Sequence, residues 1–244
     1  MRKGWFNDWF GTPYYTMLYG RRDEGEARRQ VEAILRLTGT PRGAAVLDVG
    51  CGRGRHAHWF SGNGLVTVGL DICPEAVAEA AERVPTALFK VHDMRQAFGR
   101  ADFDLVVNLF TSFGYFDERS DDTAAVHNMF QALRPGGSLV IDFMNTPRVI
   151  SALVASEECT IGHTRFVINR RVHDGFIEKS IRVEDEDARR HFMERVIALT
   201  PAEIRDLLEQ EGFHLRGVFG DFDGGPYEPE TSERAILWAQ RPLE

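Results

Sequence analysis

Short apolar runs alternate with helical patterns through the first part of the chain. Five runs have the length and composition of strands: 44–48, 65–70, 87–91, 103–109 and 138–143. The segments between them predict helices at 55–60, 74–83 and 121–133. Strands that alternate with helices are typical of α/β proteins built on a parallel sheet.

The first 20 or so residues show a different pattern, dominated by aromatic side chains. These are Trp5, Phe6, Trp9, Phe10, Tyr14, Tyr15 and Tyr19. A segment this apolar is not a free tail, and two interpretations stay open: the rings cap the core, or they form a lid over a ligand. Residues 24–37, with apolar residues at helical spacing, predict an amphipathic helix.

Between residues 146 and 199 the helical signal fades and β-rich runs replace it. Three strands are predicted, at 164–172, 176–183 and 192–199. Asp174 and Gly175 make a hairpin turn between the first two strands, and the charged stretch 184–190 is expected to be a solvated second turn. We therefore predict a small antiparallel insert.

The end of the chain predicts one further helix and two strands. Thr200 and Glu203 have the spacing of a capping box, which predicts a helix over 200–211. Residues 213–219 and 235–240 predict the last strand pair.

The loop at 220–227, between these two strands, is dense in glycine and acidic residues. A solvated loop is the simpler interpretation of this composition. Asp221, Asp223 or Tyr227 can also contact a substrate amine, and we state that as the alternative.

A glycine-rich turn follows the first strand, with Gly50, Gly52 and Gly54 at alternate positions. Open α/β sheets bind ligands at this end of a strand, and glycine lets a ligand approach the main chain closely. A dinucleotide fingerprint requires glycine at the sixth position of the turn, which here is Arg55. The spacing argues against a dinucleotide, although a turn that merely links strand and helix remains possible.

The string VLDVGCGRGRHA at 46–57 resembles the first motif of the class I methyltransferases, which use S-adenosylmethionine. LRPGGSLVIDF at 133–143 resembles the same family. The resemblance covers nearly the whole chain but is specific only within 44–143. It implies a doubly wound α/β fold: a seven-stranded, mostly parallel sheet whose last strand is antiparallel, with helices on both faces and the small antiparallel β insert.

Three parts of the chain are predicted on this basis. Residues 1–40 form the aromatic lid and a helix, 41–145 together with 200–244 form the cofactor-binding core, and 146–199 form the insert. The family commonly places an N-terminal helical segment over the cofactor. Its inserts at this position help to shape the substrate pocket, although a contact between subunits or a plain cover is an equally open interpretation.

The resemblance also implies roles for acids at two strand ends. Asp71 ends the second strand, where a carboxylate can accept two hydrogen bonds from a ribose diol. Asp93 follows the third strand, where the family's acid reaches the adenine amino group and the next backbone unit, at Met94, meets the ring. The residues expected to bind the cofactor are Asp48, Gly50, Cys51, Gly52, Asp71, Ile72, Asp93, Met94, Asn108, Leu109, Phe110, Phe113 and Tyr19. We interpret Cys51 as a small residue of a tight turn and not as a nucleophile.

Aromatic residues follow the fourth strand, near the place where the family holds the sulfonium of its methyl donor. Aromatic faces attract cations by ~0.5–2 kcal/mol, so Phe110, Phe113, Tyr115 and Phe116 are candidates to line the reaction site. Two of the four are expected to fill core instead. A general base is needed only if the acceptor arrives protonated, and no catalytic residue is singled out among the candidates Tyr14, Tyr15, Tyr19 and Tyr115.

Composition and charge limit the partners and the cellular location that we expect. The formal charge of -8 argues against a broad basic surface for nucleic acid. The three cysteines are Cys51, Cys73 and Cys159; their wide spacing predicts no metal site and suits a reducing compartment. The N-terminus lacks the apolar core of a signal peptide, and no run approaches the ~18 apolar residues of a membrane span. We expect a cytoplasmic protein without a membrane partner, in an oligomeric state left open.

The predicted function is methyl transfer from S-adenosylmethionine to a nitrogen or oxygen atom of a small-molecule acceptor (class EC 2.1.1). The acidity of the chain and the small insert favour a metabolite over a protein or an RNA. Two alternatives stay open: an NAD-linked oxidoreductase on a Rossmann sheet, and a non-catalytic protein that binds S-adenosylmethionine.

Overall fold

A computed structural model describes residues 5–20, 24–185 and 188–244. Parts of the lid predicted at 1–40 and of the turn predicted at 184–190 therefore lie outside the described residues. The helices are α1 (Trp5–Trp9), α2 (Pro13–Tyr19), α3 (Glu24–Thr38), α4 (Arg55–Gly62), α5 (Pro74–Arg83), α6 (Arg119–Ala132), α7 (Thr146–Ser151) and α8 (Pro201–Glu211). The strands are β1 (Ala45–Val49), β2 (Val66–Asp71), β3 (Leu88–Val91), β4 (Phe103–Asn108), β5 (Leu133–Met144), β6 (Ser156–Ile161), β7 (Thr164–His173), β8 (Phe176–Glu184), β9 (Arg189–Ile197), β10 (His214–Phe219) and β11 (Arg234–Gln240).

Seven strands form the main sheet, in the order β10-β11-β5-β4-β1-β2-β3. The five strands from β1 to β5 pair in parallel, while β11 is antiparallel to both of its neighbours. The predicted sheet, with an antiparallel last strand, is confirmed. The chain winds outward in opposite directions from β1 and β4, and in such sheets a ligand crevice opens where the order reverses.

The central strands are buried because helices cover both faces of the sheet. On one face Val46 and Leu105 pack with α3 residues such as Ile34. On the other face Leu47 and Val106 pack with residues of α6 and α8. Parallel strands that are buried on both sides have near-continuous apolar runs, which is why the sequence predicted these strands well.

The second sheet is antiparallel, in the order β6-β7-β8-β9. Its last three strands were predicted, but β6 and the short helix α7 were missed. Strand β6 is mostly exposed and reads SEECTI, so it carries no apolar run to detect. The predicted hairpin turn is present: Asp174 and Gly175 have φ values of 49° and 76°, the pair of left-handed residues that tight hairpins use.

Strand β5 is longer than predicted. The stretch 134–137, which separates the predicted helix at 121–133 from the predicted strand at 138–143, lies within β5 at a shift in its pairing register with β4. Gly136 donates its N–H to Arg241 O, and the Arg241 N–H bonds to Gly137 O, both at 2.9 Å. This pairing with the end of the chain keeps the segment extended, and it has no local sequence signal.

Helices α1 and α2 pack against the inner face of the second sheet. Trp9 is fully buried there beside Phe166, Ile168 and Ile181. This part of the aromatic segment is therefore core, as one of the two interpretations held. In the described part of the chain no helix has both the length and the apolar character to cross a bilayer. The predicted boundaries of the three parts of the chain stay a prediction.

Candidate active site

The glycine loop after β1 is tied to the neighbouring strand. The N–H groups of Gly50 and Cys51 both donate to Leu70 O in β2, at 2.7 and 3.0 Å. Gly50, Gly52 and Gly54 have φ values of 77°, 51° and 75°, a region that side chains with a Cβ rarely adopt. The loop therefore requires glycine for its shape, and Gly54 begins α4.

The space around the glycine loop differs between Gly50 and Gly52. A Cβ added to Gly50 would lie 2.5 Å from Ser112 Cβ, so the loop is packed against the segment after β4. A Cβ added to Gly52 would meet no heavy atom of the described residues within 4 Å. Gly52 borders a large cavity, and the open backbone there is what a closely bound ligand requires.

Asp71 stands at the end of β2, on the wall of the same cavity. Its Oδ2 accepts the Gly52 N–H at 2.8 Å and its Oδ1 accepts the Cys73 N–H at 2.9 Å. Burial raises the pKa of the carboxyl group, and the backbone N–H groups of Cys73, Gly52 and Ile72, together with the positive charge of Arg53, oppose that shift. Each oxygen keeps a further lone pair for a ligand hydroxyl.

Two polar residues predicted to bind the cofactor lie beneath the loop instead of on the cavity wall. Asp48 is 1% exposed, and no described residue hydrogen-bonds its Oδ2. Asn108 is fully buried and donates to Val49 O at 2.8 Å. Both side chains support the end of β1 from inside the core, and their direct contact with the cofactor stays a prediction.

Burial raises the pKa of Asp48 to about 7, with the negative charge of Asp71 adding to the effect and Arg55 opposing it. Burial also raises the pKa of the Cys51 thiol, and the nearby carboxylates add to that shift. A thiol held protonated is a poor nucleophile, which supports Cys51 as a turn residue.

Asp93 reaches the cavity after β3, but its carboxylate already has partners. Arg95 contacts both oxygens, at 2.6 Å for Nη2–Oδ2 and 3.0 Å for Nε–Oδ1, and its backbone N–H bonds to Oδ1 as well. A carboxylate has about four lone-pair positions, and these contacts occupy most of them. Arg95 also bonds to Asp121 at 3.0 Å, so the arginine is held in place from both sides.

The cavity has a volume of about 630 Å³ and runs from the carboxyl ends of β1, β2 and β3 to strand β9. Most residues expected to bind the cofactor lie on its wall: Gly50, Cys51, Gly52, Asp71, Ile72, Asp93, Met94, Leu109, Phe110 and Tyr19. Phe113 does not, because its ring is fully buried in the core around β5. A cofactor contact of Phe113 stays a prediction that its position does not favour, whereas Phe110, Tyr115 and Phe116 reach the wall.

The segment after β4 has an unusual backbone. Phe110 and Thr111 have φ values of 60° and 59°, which cost energy for residues with a Cβ. Asp142 holds them by accepting the Phe110 N–H at 2.9 Å, and Arg234 bonds to both Asp142 and the Thr111 hydroxyl. The sequence carried no signal for this support, because Asp142 and Arg234 are 92 positions apart.

Aromatic residues of α1 and α2 form the upper wall of the cavity. Trp5 and Phe10 pack against Tyr115 with ring centroids 5.3 and 5.6 Å apart. Tyr15 and Tyr19 continue this wall, 4.9 Å from one another. The aromatic segment therefore divides: Trp9 fills core, and these rings border the cavity, where their role as a lid stays a prediction.

The candidate bases also divide by position. Tyr15, Tyr19 and Tyr115 line the cavity, and Tyr115 donates its hydroxyl to Thr111 O. Tyr14 is not on the wall: its hydroxyl bonds to Asp185 Oδ2 at 3.2 Å on the side of the insert. The position of Tyr14 does not favour it as a base, and the choice among the candidates stays a prediction.

The acidic and aromatic side chains of the loop at 220–227 form hydrogen bonds within the protein. Asp221 Oδ1 accepts the N–H groups of Asp223 and Gly225, both at 2.9 Å. Tyr227 donates its hydroxyl to Asn145 Oδ1 at 2.8 Å, and burial raises its pKa. These residues do not line the cavity, so the weaker interpretation, contact with a substrate amine, is corrected in favour of loop structure.

Two charged residues of the insert were missed by the sequence reasoning. Glu194 of β9 lies on the cavity wall and accepts the Tyr19 hydroxyl at 2.7 Å. Lys179 lies opposite it on β8 and donates to the same hydroxyl. A signal was present: both positions fall on the apolar side of alternating strands, beside Ile181 and Phe192, where a charge is out of place.

Residues 46–137 match the family model of the methyltransferase domain. The match begins in β1, includes the glycine loop and ends inside β5. Over these residues the chain is similar to a methyltransferase domain. The class I methyltransferase resemblance drawn from the VLDVGCGRGRHA string is thereby confirmed, and the dinucleotide alternative has no such support.

Some curated relatives are named N-methyltransferases of amino sugars or of an N-terminus, and others are named O-methyltransferases. A dTDP-3-amino-3,4,6-trideoxy-alpha-D-glucopyranose N,N-dimethyltransferase of Streptomyces venezuelae is 33% identical over 129 residues, which are 52% of this chain and 54% of the relative. The cypemycin N-terminal methyltransferase of a Streptomyces species is 24% identical over 202 residues, 80% of this chain and 82% of that one. The chain spans about half the length of the amino-sugar relatives it matches.

The fold is shared over a greater length. An S-adenosylmethionine-dependent methyltransferase of Clostridium acetobutylicum has a TM-score of 0.80 with this chain, covering 94% of this chain and 96% of that one. The identity is 14%, so the likeness shows the fold alone. Because 94% of this chain is aligned, the likeness extends beyond residues 46–137 into the insert.

Proposed function

We propose that this protein transfers a methyl group from S-adenosylmethionine to a nitrogen atom of a small-molecule amine. The observation that carries the proposal is one continuous cavity that joins the glycine loop to Tyr19 and Glu194. A donor held at the loop and an amine held at the carboxylate would share this space. Three relatives are named N,N-dimethyltransferases of amino sugars, which supports nitrogen, although other relatives are named O-methyltransferases; the choice of nitrogen rests mainly on the Glu194 carboxylate at the cavity wall.

The donor fits the loop end of the cavity. The backbone at Gly50 and Gly52 would hold the amino-acid end of the donor, because the space above Gly52 is open. Asp71 would bind the ribose diol with the lone pairs that its two backbone contacts leave. Ile72 and Met94 would flank the adenine, since both lie on the wall beside Asp71.

Asp93 has less capacity than Asp71 to accept a hydrogen bond from the donor. Its carboxylate would accept the adenine amino group only by giving up a contact with Arg95, because that guanidinium occupies both oxygens. We therefore assign to Asp93 and Arg95 together the role of fixing the loop that carries Met94.

Bound S-adenosylmethionine supplies a methyl carbon that is already activated by the positive sulfur. The task of the protein is then to align the acceptor nitrogen with that carbon and to exclude water. Holding two reactants in line can contribute ~7–11 kcal/mol. Phe110 and Tyr115 would lie beside the positive charge, and Trp5 and Phe10 would cover it.

The setting and partners follow as proposals. Cys51, Cys73 and Cys159 are all free thiols, which supports a reducing, cytoplasmic compartment. The partner is a small-molecule amine. S-adenosylmethionine is the only cofactor that we propose.

The test is an assay of the purified protein with methyl-labelled S-adenosylmethionine and a metabolite mixture enriched in amines, followed by mass identification of the product. Label in one N-methyl product supports the proposal. Label in a methyl ether would overturn the nitrogen assignment. Donor binding by calorimetry without any labelled product would favour the non-catalytic alternative, and a fluorescence titration that shows NADH binding would favour the oxidoreductase.

A further inference from the structure

The inner face of the insert sheet is largely apolar on β8 and β9, with the ion pair Lys179–Glu194 in its middle, and a second ion pair, Arg170–Glu157, continues the same row onto β7 and β6. On β8 and β9 this face carries Ile177, Ile181 and Val183 opposite Phe192 and Val196, which are buried or partly buried. Lys179 and Glu194 face one another in the middle of these rows, with Nζ 3.4 Å from Oε2. Their side chains are 16% and 21% exposed, so both charges are largely withdrawn from water.

The Glu194 carboxylate is held by three donors from three elements. Trp9 Nε1 of α1 donates to Oε1 at 2.6 Å, and the Tyr19 hydroxyl of α2 donates to the same atom at 2.7 Å. Lys179 of β8 approaches Oε2 and also bonds to the Tyr19 oxygen. Such a network fixes both the carboxylate and the phenol at the cavity wall.

This arrangement is costly as structure alone. An ion pair buried in an apolar surface is often no more stabilising than apolar residues of similar size. The neighbouring pairs Ile177–Val196 and Ile181–Phe192 show that this sheet accepts apolar pairs at adjacent positions. Only Glu194 of the pair reaches the cavity, so the charge is placed where a ligand can meet it.

We infer that Glu194 and Tyr19 bind the amine of the methyl acceptor as an ammonium ion and take its proton, with Lys179 as the positioning residue. The inference rests on the proposed function, because it assigns the acceptor end of the same cavity. It names the substrate class more closely: a primary or secondary amine whose nitrogen is protonated in solution.

The proton has a continuous path. The ammonium N–H⁺ gives its proton to the Tyr19 oxygen while the Tyr19 hydroxyl proton passes to Glu194 Oε1. The amine now has a free lone pair, the tyrosine is neutral again, and the glutamate is a carboxylic acid. The nitrogen lone pair forms the bond to the methyl carbon, and the electrons of the former C–S bond remain on sulfur. The products are a methylated ammonium ion and a neutral thioether.

Lys179 acts through its neighbours. It bonds to the Tyr19 oxygen and stands 4.6 Å from the centroid of that ring, so it orients the phenol toward Glu194. Burial lowers its pKa, Glu194 and Glu157 oppose the shift, and Arg170 adds to it. Glu157, Arg170 and Glu194 lie on β6, β7 and β9 respectively. Together with Tyr19 of α2, they are the charged and titratable side chains that face Lys179 in the described part of the chain.

The first test measures binding without turnover. Calorimetry with S-adenosylhomocysteine present compares benzylamine, a cation at pH 7, with benzyl alcohol, its neutral counterpart. The wild-type protein is expected to prefer the amine at least tenfold, and Glu194→Gln should abolish the preference while changing S-adenosylhomocysteine affinity less than twofold. Glu158→Gln, which breaks an exposed ion pair with Arg165 in the same sheet, is the matched control and should retain the preference. Equal binding of the two probes to the wild type would overturn the inference.

The second test is the pH dependence of kcat/KM for the amine identified by the labelled-methyl assay. If Glu194 and Tyr19 accept the proton, the wild type uses the ammonium form, and kcat/KM stays flat between pH 7 and the pKa of the free amine. Glu194→Gln and Tyr19→Phe should instead follow the free-base fraction, rising tenfold per pH unit. Lys179→Met should lower kcat more than it raises KM and leave benzylamine binding within threefold. Profiles of the same shape in wild type and Glu194→Gln would refute the proton path.

Failure of the inference and failure of the proposed function give different results. If no methyl transfer takes place, the wild type yields no labelled product, whereas the benzylamine comparison still reports whether Glu194 binds an ammonium ion. If methyl transfer proceeds equally well in Glu194→Gln, the proposed function stands and the assignment of the acceptor site is withdrawn. Thermal unfolding of each variant excludes loss of fold as the cause.

Discussion

The Asp71 carboxylate accepts the Gly52 N–H at 2.8 Å and thereby ties the end of β2 to the glycine loop after β1. One side chain therefore shapes the loop and also presents oxygen atoms to the cavity. Because β1 and β2 are parallel neighbours, the glycine loop after β1 and the acid at the end of β2 lie side by side at the same edge of the sheet.

Replacing Asp71 by alanine should weaken S-adenosylhomocysteine binding tenfold or more in calorimetry, because both the ribose partner and the Gly52 contact are lost. Asp104→Ala is the control. Asp104 also accepts a backbone N–H, from Ala45 at 2.7 Å, but it lies at the opposite end of the sheet. Its loss should change affinity less than twofold, and equal losses in the two variants would contradict a ligand role for Asp71.

Two alanine substitutions in the loop should separate folding from binding. Gly52→Ala adds a methyl group to open space beside the cavity, so donor affinity should fall at least tenfold while stability falls by only ~1–2 kcal/mol, the cost of the left-handed backbone. Gly50→Ala clashes with Ser112 as well, so its loss of stability should be clearly larger. Urea unfolding measures the loss of stability, and calorimetry measures the loss of donor affinity. If the same variant shows the larger loss in both measurements, the separate roles of Gly50 and Gly52 are refuted.

Asp48 should make the protein less stable as pH rises. Its pKa is about 7 in the folded state and 3.8 as an ordinary carboxyl, so the folded state binds the extra proton between these values. Stability is therefore complete below about pH 4 and is lost as pH approaches 7, by roughly 4 kcal/mol at ~1.4 kcal/mol per pKa unit.

The corresponding variant is Asp48→Asn, which imitates the protonated form. Urea unfolding at pH 5 and pH 8 should show that this substitution stabilises the protein by several kcal/mol more at pH 8 than at pH 5. Asp223→Asn, on an exposed loop, should show no such difference. An effect of Asp48→Asn that does not depend on pH would contradict the buried, protonated carboxyl.

The two tryptophans at the N-terminus should have opposite effects. Trp9 is fully buried against the insert sheet, so Trp9→Ala should cost about 3–5 kcal/mol of stability. Trp5 is partly exposed and packs edge-on against Tyr115 at the cavity, so Trp5→Ala should cost little stability and speed donor release at least fivefold. Stopped-flow release of S-adenosylhomocysteine and thermal unfolding distinguish them. Equal release rates for Trp5→Ala and the wild type would remove the lid role.

Deleting residues 1–20 is a less clean test than either single substitution. The deletion would uncover Phe166, Ile168, Ile181 and Val183 on the insert sheet as well as opening the cavity. A loss of cofactor retention could then follow from unfolding alone, which the pair of tryptophan variants avoids.

The sequence by itself determined the methyltransferase sheet and its loop, because their signals are local. Buried parallel strands appear as continuous apolar runs, a helix start shows its capping box at Thr200 and Glu203, and the left-handed loop needs glycine wherever it turns. These rules act within a few residues, so Asp71 at the end of β2 could also be placed without a tertiary structure.

Only the tertiary structure decided which side chains meet in the cavity. Phe110 reaches the wall while Phe113, three residues later, fills the core, and Tyr19 contacts Glu194 across 175 positions of the chain. The alternation of apolar and polar residues along a strand indicates which side chains share a face. It does not indicate which distant element covers that face. The meeting of α2 with β8 and β9 depends on packing between whole layers, and so the acceptor end of the cavity could not be derived from local pattern.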